Sequence, residues 1–91
     1  MNMTLIEALV SRDQFSHEDI FFVEEPWTLH SKIQVVIMDV DGRTKIEVDG
    51  RTYLYFLEIF LINELFEDLE DQNINFEEKC QRVISYAIND A

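Results

Sequence analysis

Two copies of the pentapeptide VDGRT, at residues 40–44 and 48–52, set Asp41 and Asp49 eight residues apart, with Asp39 and Glu47 close by. Carboxylates so grouped could do phosphoryl chemistry, hold a cation, or do no chemistry and simply turn the chain. The first copy ends an apolar run, VVIMDVDG, as a nucleophilic aspartate at a strand end would. The reading of this segment decides whether the chain holds a catalytic centre.

VVIMDVDGRT resembles the nucleophile motif of haloacid-dehalogenase-type phosphatases, where a buried strand ends in DxDGT. Arg43 breaks the match by separating Gly42 from Thr44. Such enzymes also need a lysine and further carboxylates on a larger parallel sheet, and only 47 residues follow Thr44. A calcium loop through Asp39, Asp41 and Glu47 fares no better: the EF-hand pattern D-x-[DN]-x-[DN]-G puts its glycine after a third ligand, whereas Gly42 follows the second aspartate. His17 and His30 lack partners at metal-ligand spacing. His17 reads as a surface histidine beside Ser16, which caps a turn, and Cys80 as a buried structural thiol on an apolar helix face. Gly42 and Gly50 are the only glycines, so there is no glycine-rich phosphate loop. No enzyme, catalytic residue, metal or cofactor is expected.

A different constellation follows Tyr55. At about 100° per residue, Leu57, Ile59, Leu61, Ile62, Leu65, Phe66 and Leu69 occupy one arc of a helix. Asn63, Glu64, Glu67, Glu70 and Asp71 fill the other side, and Phe60 projects into its middle. Glu58 interrupts the apolar arc in the first turn, where the helix dipole favours a carboxylate. Either another element, such as the first helix, covers Phe60, or it is an aromatic anchor inside a charged rim, as at an interface hot spot. On the second reading Phe60, Asn63, Glu64, Glu67, Glu70 and Asp71 form a partner-binding face whose acids steer a basic protein.

The elements that position this face follow from periodicity. Thr4 with Glu7 three residues on is a capping box, and Leu5, Ile6, Leu9 and Val10 share a face of a short helix. DIFFV reads as a buried strand ended by Glu24, Glu25 and Pro26, and KIQVVIMDV as a second strand. Asp-Gly between alternating apolar residues signals a two-residue hairpin. Turns at Asp41-Gly42 and Asp49-Gly50 pair Ile37 with Ile46, Val35 with Val48, and Ile46 with Tyr53. They place Ile33, Val35, Ile37, Ile46, Val48, Tyr53 and Tyr55 on one face and Arg43, Lys45, Glu47 and Asp49 on the other. Asn75 caps a last helix, with Glu78 three residues later and Phe76, Cys80, Val83, Ile84, Ala87 and Ile88 along its apolar face. The expectation is a single α+β domain over residues 1–91: an antiparallel sheet of about four strands, including a three-stranded meander, with helices packed on one face.

Composition bounds the function. Of the 91 residues 47 % are apolar, too many for a disordered chain. The net charge is −12. The centre, residues 32–55, is neutral, while residues 1–31 carry −5 and residues 56–91 carry −7. A chain so poor in lysine and arginine clusters does not bind nucleic acid directly. The single cysteine permits no internal disulfide and favours a reducing compartment. The start MNMTLIEALVSRDQ has no basic leader, and the apolar-rich stretch from Tyr53 to Phe66 is too short and too interrupted to span a bilayer. A cytoplasmic protein without membrane contact, monomeric or weakly homodimeric, is expected.

A small acidic α+β domain with one cysteine and no catalytic groups resembles the bacterial immunity proteins that neutralise toxic nucleases. NELFEDLEDQ followed by EEKCQRVISYAINDA is likewise similar to small bacterial domains that end in such a helix. The resemblance implies a protein-binding inhibitor, an immunity protein or antitoxin acting on a basic toxin such as a nuclease, and assigns no residue. A phage-encoded anti-defence protein of the anti-CRISPR kind, mimicking nucleic acid, fits the same surface. So does a structural adaptor subunit whose charge serves only solubility. An adjacent toxin gene would favour the first, a phage operon the second, and absence of any tight basic partner the third.

Overall fold

In the computed structural model, which describes residues 3–37 and 42–90, the elements are β1 (Met3–Thr4), α1 (Leu5–Val10), a short 3-10 turn (Arg12–Gln14), β2 (Asp19–Val23), β3 (Lys32–Ile37), β4 (Lys45–Val48), β5 (Arg51–Glu58), α2 (Ile59–Leu69) and α3 (Phe76–Asp90). The strands form one antiparallel sheet in the order β1-β3-β2-β5-β4. An α+β fold with an antiparallel sheet is therefore what the chain adopts, with five strands where the periodicity gave about four.

β2 is central because its sequence leaves no alternative. Phe21, Phe22 and Val23 are consecutive and fully buried, so both faces need cover and both edges a neighbour. β3 pairs on one side, Phe21 opposite Val35, and β5 on the other, Phe21 opposite Leu57. Phe21, Val23, Ile33 and Leu57 thus share one face. They form a single core with Leu5, Ala8 and Leu9 of α1, Ile59, Ile62 and Phe66 of α2, and Cys80, Val83, Ile84 and Ala87 of α3. The helices lie on one face of the sheet.

The three-stranded meander does not form. β4 and β5 make the expected hairpin, with Val48 opposite Arg51 and Ile46 opposite Tyr53. Asp49 (φ 53°) and Gly50 (φ 79°) both occupy the left-handed region that a type I′ turn requires. The pairs Ile37–Ile46 and Val35–Val48 are absent, because β3 lies beside β2 and the two strands are separated by β2 and β5. Ile33, Val35 and Ile37 consequently face the helices, whereas Ile46, Val48, Tyr53 and Tyr55 share the opposite face with Phe22. Alternation tests which face a side chain takes and is blind to which strand lies alongside; burial of the DIFFV run outweighs a second Asp-Gly hairpin. Asp39 and Asp41, with their phosphatase and cation readings, lie outside the described residues.

The boundary between β5 and α2 also differs. The strand runs through Glu58, and a bulge opposite Phe21/Phe22 leaves Phe56 as the extra residue. Phe56 and Leu57 are both buried as a result, and the Phe56 ring meets Trp27 edge-on at 5.1 Å. Two adjacent inward residues break the strand period and imitate a helical one. Both caps form as expected: Thr4 N–H donates to Glu7 Oε1 (2.9 Å) while Glu7 N–H donates to Thr4 Oγ1 (3.4 Å), and Glu78 N–H donates to Asn75 Oδ1 (2.8 Å). In the six-residue α1, Leu5, Ala8 and Leu9 are buried and Val10, about 140° round from Leu5 at about 100° per residue, is 63 % exposed, outside the face expected for it. Among the described residues no helix is long and apolar enough to cross a membrane.

Candidate functional site

α2 is mounted on the sheet by a stripe at helical spacing. Ile59, Ile62, Phe66 and Leu69 are buried at positions i, i+3, i+7 and i+10, and Leu61 and Leu65 pack against the core from its rim. The stripe fixes the rotation of the helix and hence what the other side presents. Glu58 is not in the first turn. It occupies the N-cap position in extended conformation without capping, and its carboxylate accepts from the Tyr55 hydroxyl at 3.1 Å.

On the outward side Phe60 is 51 % exposed, so α1 does not cover it. Its nearest ring is His17, itself exposed, with centroids 6.4 Å apart. Glu64, Glu67, Glu70 and Asp71 are exposed, and Asn63 is half-buried at the flank. A rotation of about 100° per residue puts Phe60, Glu64 and Glu67 in one stripe of α2, and Asn63 and Glu70 line a groove with Arg12; Asp71 lies beyond the end of the helix. Of the six residues singled out by periodicity, Phe60, Asn63, Glu64 and Glu67 lie on α2, Glu70 caps it and Asp71 follows it.

Its electrostatics are one-sided. α2 has no basic residue in its last turn, where Glu67 and Asp68 sit at the negative end of the helix dipole and Glu70 and Asp71 follow at once. Carboxylates there are destabilising. Among the described residues none of these acids has a cation within ion-pair distance; the salt bridge between Arg51 and Glu24 (3.0 Å) lies on the sheet. The excess of acid at this helix end is a cost borne by the free protein.

Several neighbours escaped the sequence reading. A groove of about 310 Å³ beside α2 is lined by Arg12, Asn63, Phe66, Glu67, Glu70, Phe76 and Lys79. Arg12 lies over the Phe66 ring, 3.9 Å from its centroid, and donates to the Leu9 carbonyl at 3.0 Å. Phe76 stacks on Phe66, with ring centroids 5.7 Å apart. A second hollow joins Asn63 to Val10, Arg12 and Asp13, so the exposed Val10 extends the apolar part of the surface toward α1. No local signal announces these contacts, because Arg12 and Phe76 are more than fifty residues apart and meet only through the packed helices.

Cys80 is fully buried, and burial pushes its thiol up to about 11, leaving it protonated and unreactive at neutral pH. His30 and Glu47 are exposed. Among the described residues no three His, Cys, Asp or Glu side chains converge on a metal-sized site. An open, mainly apolar hollow of about 800 Å³ lies between Trp27, Leu54 and Ile88, with Glu25, Thr44 and Tyr55 as its polar side chains. The chain matches no protein-family model, no curated protein and no solved structure.

Proposed function

We propose that this chain is a protein-binding inhibitor without catalytic activity, and that it docks onto a basic protein through the outer side of α2. The supporting observation is Phe60: a large aromatic side chain, 51 % exposed, on a helix packed to the core and near carboxylates for which no cation among the described residues stands at ion-pair distance. An aromatic anchor contributes to holding a complex, and the surrounding acids speed encounter with a positive surface. A basic partner would also relieve the repulsion at the end of α2. A toxin that grips phosphates, such as a nuclease, presents such a positive surface, so an immunity protein or antitoxin working in the cytoplasm is the function we assign.

The test uses association kinetics with the partner. Phe60→Ala should chiefly accelerate dissociation. Glu64→Lys and Glu67→Lys should chiefly slow association, by about tenfold together at low salt and less as salt rises. Unchanged binding in all three variants would move the site off α2. A tight complex in which the partner keeps full activity would instead make the chain a structural adaptor.

A further inference from the structure

A fixed cation stands at the flank of the acidic surface. Arg12, in the 3-10 turn after α1, is half-buried, with its guanidinium 3.9 Å from the centroid of the Phe66 ring. One of its N–H groups donates to the Leu9 carbonyl at 3.0 Å. Ring and carbonyl together hold the group in place, so it has little side-chain freedom left to lose on meeting a ligand. A guanidinium carries five N–H donors in a planar fork. Among the described residues, only Leu9 accepts from this one.

Further donors line the same groove of about 310 Å³: Asn63, through its side-chain amide, and the half-buried Lys79. The neighbouring hollow shares Arg12 and Asn63, so the guanidinium borders both. Glu67 and Glu70 also line the groove. Among the described residues, neither stands within ion-pair distance of Arg12 or Lys79. The cations and the acids are thus separately available to groups of opposite sign. Phe66 and the stacked Phe76 supply apolar surface, beside which a charge-assisted hydrogen bond is stronger than in open water.

Taking the outer side of α2 as the docking face, on which this depends, we propose that the groove receives a carboxylate side chain of the partner, an aspartate or glutamate set between basic residues. Arg12 is the principal donor, because a guanidinium meets a carboxylate through two parallel N–H···O bonds. Asn63 and Lys79 flank it. The basic residues on either side of that carboxylate answer Glu67 and Glu70. Arg12 thereby determines specificity. Acids alone attract any positive surface, since steering follows the summed charge. A fixed cation beside them repels a uniformly basic surface and selects one that brings an acid to this point.

Two short probes test the proposal, acetyl-Lys-Glu-Lys-amide and acetyl-Lys-Gln-Lys-amide, each titrated at low salt into isotope-labelled protein and followed by NMR. They differ by one carboxylate. On summed charge alone the more positive glutamine peptide should bind the acidic surface more tightly. The carboxylate site predicts the opposite order, with the glutamate peptide favoured about fivefold and shifting the Arg12 Nε–H and Asn63 side-chain signals. Arg12→Gln should erase that preference, with Trp27 emission as a check on folding. Arg12→Lys should retain part of it, since the charge stays and the fork is lost. Tighter binding of the glutamine peptide, with shifts at Glu64 and Glu67, would overturn the proposal and support the acidic face by itself. A preference that survives Arg12→Gln, or no response of Arg12 to the glutamate peptide, would also overturn it. So would inorganic phosphate binding at Arg12 more tightly than that peptide, which would make the groove a small-anion site.

Discussion

Replacing Phe60 by alanine should barely affect folding, and the comparison with Ile62 makes this quantitative. Burying a whole phenylalanine side chain is worth roughly 1.5–3 kcal/mol by area. Phe60 keeps 51 % of its surface exposed, and its removal opens no enclosed cavity. The expected loss is about 1 kcal/mol or less, a fall in Tm of at most about 4–8 °C for a domain of this size. Ile62, two residues on and fully buried, should cost about 2–5 kcal/mol on truncation, since a cavity is added to the transfer cost. Total stability of 91 residues is on the order of 5–14 kcal/mol, so Ile62→Ala should visibly destabilise the chain. Urea unfolding followed by Trp27 emission is the assay, as that ring packs on Phe56 in the core. If Phe60→Ala costs as much as Ile62→Ala, Phe60 is a core residue and its exposure cannot serve a partner.

Other consequences can be measured on the isolated protein. Glu67→Lys should raise stability by about 0.3–1 kcal/mol, through relief of the helix dipole, even as it impairs partner association; denaturant titration checks the first part. Thr4→Ala should cost about 1 kcal/mol by removing the cap of α1. The Thr4 backbone N–H and hydroxyl hold the Glu7 carboxyl below its usual 4.5, so the capping contribution is present above that value and lost as pH falls through the lowered one; acid titration of Thr4→Ala, which loses the hydroxyl and keeps the backbone N–H, should show a partly flattened stability profile. Cys80 has the opposite sign. Its folded thiol is raised from 9.0 to about 11, so its contribution is full below pH 9 and lost between about 9 and 11 as the unfolded thiol ionises, at most about 2–3 kcal/mol. Alkaline unfolding of wild type against Cys80→Ala should reveal the difference.

What the sequence revealed were the local devices. The Thr4–Glu7 box, the Asn75 cap, the Asp49-Gly50 hairpin and its register, and the burial of Cys80 each depend on residues a few positions apart, and each is present. What it hid was non-local. The choice of β2 as neighbour for β3 depends on where a run of consecutive phenylalanines can be buried, and a hairpin signal at Asp41-Gly42 carries no information about that competition. The strand end at Glu58 was obscured by the Phe56 bulge, which mimics helical spacing. For the candidate site, helical periodicity grouped Phe60, Asn63, Glu64 and Glu67 because α2 carries them, while Glu70 caps that helix and Asp71 follows it. Val10, Arg12, Phe76 and Lys79 joined only through packing between helices. The acids at the end of α2 break a local rule, and among the described residues none has a cation at ion-pair distance, which is where function is expected to override stability.

The most direct test of the inhibitor reading is an affinity capture from the native host with three immobilised proteins: wild type, Phe60→Ala, and the Glu64→Lys/Glu67→Lys double variant. Bound proteins are eluted by a salt gradient and identified. The account predicts a basic protein held by wild type, released as salt rises, held less firmly by Phe60→Ala and missing from the charge-reversed column. Identical protein sets on all three columns, or a wild-type partner that is acidic and indifferent to salt, would contradict it.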